Sequence, residues 1–139
     1  MIRELIRDEA LLSMPCEPAT AEDAELAADL IETLASLEDA GCLAANQLGV
    51  PHALFAYEDE KGAYRVMLNP KLVFGLGPNR VVEACLTREG ESTAVRHIKI
   101  KVDFDALVDG ELVHRRREFA GFTAQMIQHM IDHCNGKYI

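Results

Sequence analysis

Gln128-His129-Met130-Ile131-Asp132-His133 lies inside the last apolar-periodic stretch of the chain, a helical pattern from about Phe122 to Cys134. Gly136 is placed to end that helix as a left-handed residue just past the cap. On such a helix His129 and His133 project from one face, one turn apart, and both imidazoles can reach a single ion. Paired histidines at this spacing are more often ordinary helix residues, so the pair needs a third donor to carry weight. Cys85, within Glu83-Ala84-Cys85-Leu86, offers one. A thiolate and two imidazoles leave a fourth coordination position open, which marks catalytic rather than structural metal sites.

Working outward, the order of elements is helix, several strands, helix. The first helix is expected over about residues 21–38, opened by a capping box at Thr20 and Asp23. Leu26, Leu30, Leu34 and Leu37, with Ile31 beside them, form its core face. HALFAY (52–57) and YRVML (64–68) read as strands joined by a hairpin loop at Glu58–Gly62. Asn69-Pro70 is expected to break the second strand, KLVF (71–74) to follow, and Gly75–Asn79 to turn the chain. Residues 98–104 alternate, with Ile98, Ile100, Val102 and Phe104 on one face. Asp109-Gly110 then turns into a strand over 111–119. This order predicts an α+β fold, with the C-terminal helix lying against antiparallel strands.

The 139 residues, about half of them apolar, are expected to form a single domain over 1–139. Acids outnumber bases by 23 to 14, a formal charge of −9, which disfavours nucleic acid and anionic membranes as partners. The one dense basic run, Arg115-Arg116-Arg117, is expected on a solvated strand edge. No segment reaches the roughly 20 apolar residues of a membrane span, and the N-terminus lacks a signal-peptide apolar core. A cytoplasmic location is the expectation. Cys16, Cys42, Cys85 and Cys134 then read as ligands or core residues rather than disulfides.

The sequence resembles the peptide deformylases in three motifs that occur in order. G-x-G-L-A-A-x-Q corresponds to Ala40-Gly41-Cys42-Leu43-Ala44-Ala45-Asn46-Gln47, E-G-C-L-S to Glu83-Ala84-Cys85-Leu86-Thr87, and Q-H-E-x-D-H to Gln128 through His133. The version here looks like a branch of low-GC Gram-positive bacteria. The resemblance implies antiparallel sheets around a central C-terminal metal-binding helix, with an N-terminal helix. It implies one divalent ion, Fe2+ or Zn2+ with Ni2+ and Co2+ as further candidates, held by Cys85, His129 and His133. It also implies a reaction in which water activated at the metal removes the formyl group from the N-terminal methionine of nascent chains. Gln47, through its amide, and Leu86, through its backbone N–H, would stabilise the oxyanion. Cys42, Leu43 and Arg96 fall where the family contacts substrate, and away from a peptide Arg96 reads as a free surface charge.

The departures bear on mechanism. Met130 stands where the family has the glutamate that carries the proton from water to the leaving nitrogen. A thioether carries no proton at neutral pH, and general acid–base assistance is worth about 10²–10⁴-fold. The expectation is a metal site with strongly weakened deformylation, or a catalytically inactive relative that binds metal and N-terminal peptides. Met130 equally reads as a packing residue beside Met126, Ile127 and Cys134. Cys42 replaces a glycine and reads either as a narrowing of the substrate approach or as a small buried residue. Asp132 is expected to support the ligands rather than bind metal. His52, His97 and His114 lack partners at ligand spacing.

Overall fold

The computed structural model describes residues Met1–Ile139. A short helix, α1 (Glu9–Leu12), precedes the capping box at Thr20. There the Thr20 hydroxyl accepts from Glu22 N and Asp23 Oδ2 accepts from Thr20 N. A 3-10 turn over Ala21–Asp23 leads into α2 (Ala24–Ser36), whose Leu26, Leu30 and Leu34 are buried as the leucine periodicity requires. Two buried polar residues share the helix. Asp29 pairs with Arg3 Nη2 at 2.7 Å, and Thr33 accepts from Arg3 N, so the N-terminal segment is tied down by the polar side of α2.

The strands are β1 (Cys42–Ala44), β2 (Leu54–Glu58), β3 (Tyr64–Cys85), β4 (Arg88–Val108) and β5 (Glu111–Ala120). They pair antiparallel in the order β1-β2-β3-β4-β5. The last helix, α3 (Gly121–Cys134), follows directly. Side chains alternate across a strand, and β2 with the Met67-Leu68 stretch of β3 is apolar on both faces. Leu54 and Ala56 of β2, with Leu43 and Leu68, pack on Leu26, Leu30 and Leu34 of α2. Phe55 and Tyr57, with Met67, Ile100 and Val102, pack on Ile127, Met130 and Ile131 of α3. The sheet therefore separates the two helices. The predicted α+β fold, with one helix from each end of the chain, is the fold observed.

The expected break at Asn69-Pro70 and turn at Gly75–Asn79 do not occur. β3 runs for 22 residues through both, paired with β4 as far as Cys85. The ladder absorbs them in register shifts between Leu68 and Lys71 and between Leu72 and Phe74. Asn69 takes a φ of 50° while its side chain bonds the Ala19 backbone and Asp105, and a bulge tolerates a proline without an N–H. Gly75 serves a close approach, since a Cβ there would stand 2.6 Å from the His97 ring. Ile98 is correspondingly 59% exposed; only Ile100, Val102 and Phe104 of that alternation reach the core. β5 pairs with β4 from Lys99 onward, and as the outer strand it leaves Arg115, Arg116 and Arg117 exposed. No helix is long and apolar enough to cross a membrane.

Candidate metal centre

Cys85 is the last residue of β3, and His129 and His133 stand on the buried face of α3. The sheet carries the cysteine to the helix. Cys85 Sγ lies 3.4 Å from His133 Nε2, which lies 3.2 Å from His129 Nε2, and all three atoms fall within 4.8 Å of one another. A tetrahedral site with ordinary thiolate and imidazole bond lengths has donor–donor edges of roughly 3.3–3.6 Å. Two of the three donor separations therefore match the edges of a tetrahedral site for one divalent ion.

The electrostatics point the same way. Burial works against the Cys85 thiolate, but hydrogen bonds from His129 and His133 outweigh it and bring the thiol down to about 5. Burial likewise works against a charged His129, yet Cys85 and Glu83 raise it to about 9. The Cys85 thiolate and the Glu83 carboxylate thus both favour positive charge on His129, and at the thiolate a metal cation meets the same requirement. His129 Nδ1 lies 2.9 Å from Glu83 Oε1, which orients the ring and turns Nε2 toward the other donors. His133 is held through the backbone, because Asn46 Nδ2 donates to its carbonyl at 3.0 Å.

Behind His129 lies a buried ion network. Arg96 is 6% exposed and its guanidinium binds both Glu83 oxygens and Asp132 Oδ2. Despite its desolvation, Glu83 is held ionised, down to about 2, by His129 and Arg96. Arg96 is accordingly neither a surface charge nor part of the cleft wall: its hydrogen-bonding capacity is turned inward on two carboxylates. Asp132 reaches His129 only through Arg96 and Glu83. Glu83 is the supporting residue that sequence reasoning placed in a motif without a role. Its signal was its position two residues before Cys85, which on a strand puts both side chains on one face.

Cys85 and His129 open onto a cleft of about 390 Å³ whose walls include Cys42, Gln47, Leu86, Met126 and Met130. Gln47 is clamped at both ends of its amide. Its Oε1 accepts from Ala44 N at 2.9 Å, and its Nε2 donates to Thr87 Oγ1 at 3.1 Å and approaches Cys85 Sγ at 3.5 Å. Cys42 is half-buried on the wall, with its thiol pushed up to about 12 by burial. Leu43 points the other way, fully buried in the cluster against α2, because adjacent residues of β1 face opposite sides of the sheet. Its side chain is therefore not on the cleft. Gly41 makes room for Met126, whose Sδ would lie 2.7 Å from a Cβ at that position. His52 pairs with Asp23 at 2.9 Å, a partner that its sequence spacing did not suggest. His97 and His114 lie outside the cleft.

A Cys/His/His set beside a cleft, on an antiparallel sheet backed by a helix, is a donor arrangement suited to a metal centre with an open coordination position. The chain belongs to the polypeptide deformylase family, whose model matches residues 4–139. It is 35% identical over 138 residues to a peptide deformylase of Clostridium beijerinckii, spanning 98% of each chain. It is 34% identical to that of Aquifex aeolicus, spanning 98% of this chain and 84% of the relative. Among solved structures, a peptide deformylase from Legionella pneumophila superposes with a TM-score of 0.83 at 30% identity, covering 99% of this chain and 83% of that one. The Thermus thermophilus peptide deformylase superposes with a TM-score of 0.85 at 26% identity, over 99% and 82%.

Proposed function

We propose that this chain is a deformylase-family metalloprotein that binds N-terminal formyl-methionyl peptides of nascent chains in the cytoplasm and hydrolyses them only weakly. Cys85, His129 and His133 hold one divalent ion, with Fe2+ or Zn2+ first and Ni2+ or Co2+ also suited to a thiolate and two imidazoles. When bound, the ion supplies Lewis acidity and lowers the pKa of water. The Gln47 amide and the Leu86 backbone N–H are the donors for charge that develops on the formyl oxygen. Substrate backbone pairs along the free edge of β1, beside Cys42 and Leu43. Arg96 has no part in that contact, its charge being committed to Glu83 and Asp132.

The observation that carries the reading is the environment of Met130, 1% exposed, on the cleft wall beside His129. A carboxylate at this position would take a proton from water and deliver it to the leaving nitrogen. Neither neighbouring acid replaces it, because Glu83 and Asp132 are both engaged by Arg96. The same observation favours a second reading, a protein that binds metal and peptide without turnover. The test is formyl-methionyl peptide hydrolysis by anaerobically metal-loaded protein beside its Met130→Glu variant. The variant is expected to be faster by about 10²–10⁴-fold. Wild-type turnover equal to that of the variant overturns the proposal, while peptide binding with no wild-type turnover selects the second reading.

A further inference from the structure

Cys85 ends β3 and Arg88 begins β4, and the two are register partners across a short turn at Leu86-Thr87. The turn is held on its buried side, where Thr87 Oγ1 accepts from Gln47 Nε2 at 3.1 Å. A second hold comes from the chain that leaves α3. Gly136 N donates to the His133 carbonyl and Lys137 N to that of Asp132, both at 3.0 Å, with Gly136 left-handed at a φ of 77°. This is a Schellman ending, and it fixes the direction of exit from the helix. The exit leads Tyr138 to Arg88. Arg88 Nη1 donates to the Tyr138 carbonyl at 2.8 Å, and its guanidinium carbon lies 4.7 Å from the centre of the Tyr138 ring. Both residues are half-buried. Since Glu83 meets His129 at 2.9 Å, hairpin and helix are joined on either side of Cys85, at Glu83 and again at Arg88.

We propose that Arg88 is a positioning residue of the metal centre. By gripping Tyr138 through its carbonyl and its ring, it locks the turn that carries Cys85 and the Leu86 N–H to the end of α3. The inference rests on the metal-site reading above and adds to it a residue that touches no donor. Cys85 and the two histidines stand on separate elements, and the 3.4 Å between Cys85 Sγ and His133 Nε2 persists only while those elements keep their separation. Tyr138 follows His133 by five residues, so one short segment is anchored to the helix at its base and to the turn at its tip. A guanidinium suits this task. Its planar face stacks on the ring while one N–H binds the carbonyl, two contacts in fixed relation that a lysine cannot reproduce.

The test is anaerobic Co2+ loading of the metal-free full chain, read by chelator competition and by the thiolate-to-cobalt absorption at saturation. Arg88→Met keeps much of the side-chain length and removes the charge and the donors. It should weaken Co2+ by about tenfold and change the saturated absorption. Tyr138→Leu keeps the carbonyl and should act in the same direction to a lesser degree. The double variant should be no weaker than Arg88→Met, because both changes break one contact. Tyr138→Phe keeps the ring, Arg116→Met removes an arginine from the exposed Asp103 pair on β5, and both should match wild type. A clamp with a structural role alone would lower the denaturation midpoint of the metal-free chain and leave the saturated absorption as it was. Wild-type affinity and absorption in Arg88→Met overturn the proposal, as do additive effects in the double variant. If Arg88→Met does not fold, Tyr138→Leu decides, and unchanged affinity and absorption there overturn it. Co2+ binding that survives Cys85→Ala overturns the metal-site reading itself, a separate outcome.

Discussion

Glu83 Oε1 stands 2.9 Å from His129 Nδ1, and the same carboxylate receives the guanidinium of Arg96. One acid therefore aims a candidate metal ligand and anchors a buried cation. Its removal should be felt at the metal before it is felt in the fold. Glu83→Gln keeps an acceptor near both partners but loses the charge, and metal affinity is expected to fall about 10–100-fold. Chelator competition measures it, and an unchanged affinity would show that Glu83 does not orient His129.

Arg96 separates a structural role from a substrate role. Arg96→Ala leaves Glu83 and Asp132 facing each other without a cation in a nearly dry site, and breaking such a buried pair costs about 3–5 kcal/mol. Chemical denaturation should show a loss of that size. A stable variant with weakened peptide binding would instead return Arg96 to the substrate.

Gly136 ends α3 with a φ of 77°, and a Cβ there would stand 2.5 Å from Pro15 N and 2.6 Å from the Met14 carbonyl carbon. Both neighbours are backbone and cannot swing aside. Gly136→Ala combines left-handed strain with this clash and is expected to cost about 2–4 kcal/mol. A shift in the denaturation midpoint of less than one kcal/mol equivalent (about 1 kcal/mol) would mean that the segment around Met14 yields.

The thiols should respond to pH by position. Burial pushes Cys16 up to about 11 and Cys42 up to about 12, whereas Cys85 is brought down to about 5. In chelator-treated protein near neutral pH, alkylation should mark Cys85 first and leave Cys16 and Cys42 unmodified until the fold is denatured. Cys16 and Cys42 keep their protons in the folded chain beyond the unfolded value near 9. The folded state therefore binds more protons between pH 9 and about 11–12, and stability falls as pH rises through that window. Cys42→Ala should flatten this alkaline slope, and peptide mapping after alkylation reads the order of reaction. Labelling of Cys42 at neutral pH would place it outside the buried wall.

Much of this molecule is written in local pattern. The Thr20–Asp23 box, the leucine stripe of α2, the Asp109-Gly110 hairpin and the histidine spacing on α3 are short-range features, and each recurs in the structure. The misreadings share one cause. Asn69-Pro70 and the Gly75–Asn79 segment carry turn residues, but pairing with β4 along 88–108 overrides local propensity and makes one long bulged strand of them. Arg96 looked free because the two carboxylates that bury it lie 13 and 36 residues away.

The amino-acid sequence alone determined most of the element types and the spacing of His129 and His133 on α3, because these depend on residue identity and on separations within one helix or strand. Only the tertiary structure decided that Cys85 meets two histidines more than forty residues away, that Glu83 aims one of them, and that Arg96 is withdrawn from the cleft. Those relations arise when the long β3 strand delivers its end to α3 and the side chains there are desolvated together. In that dry space each charge takes the nearest opposite one, and that pairing is a property of packing rather than of sequence order.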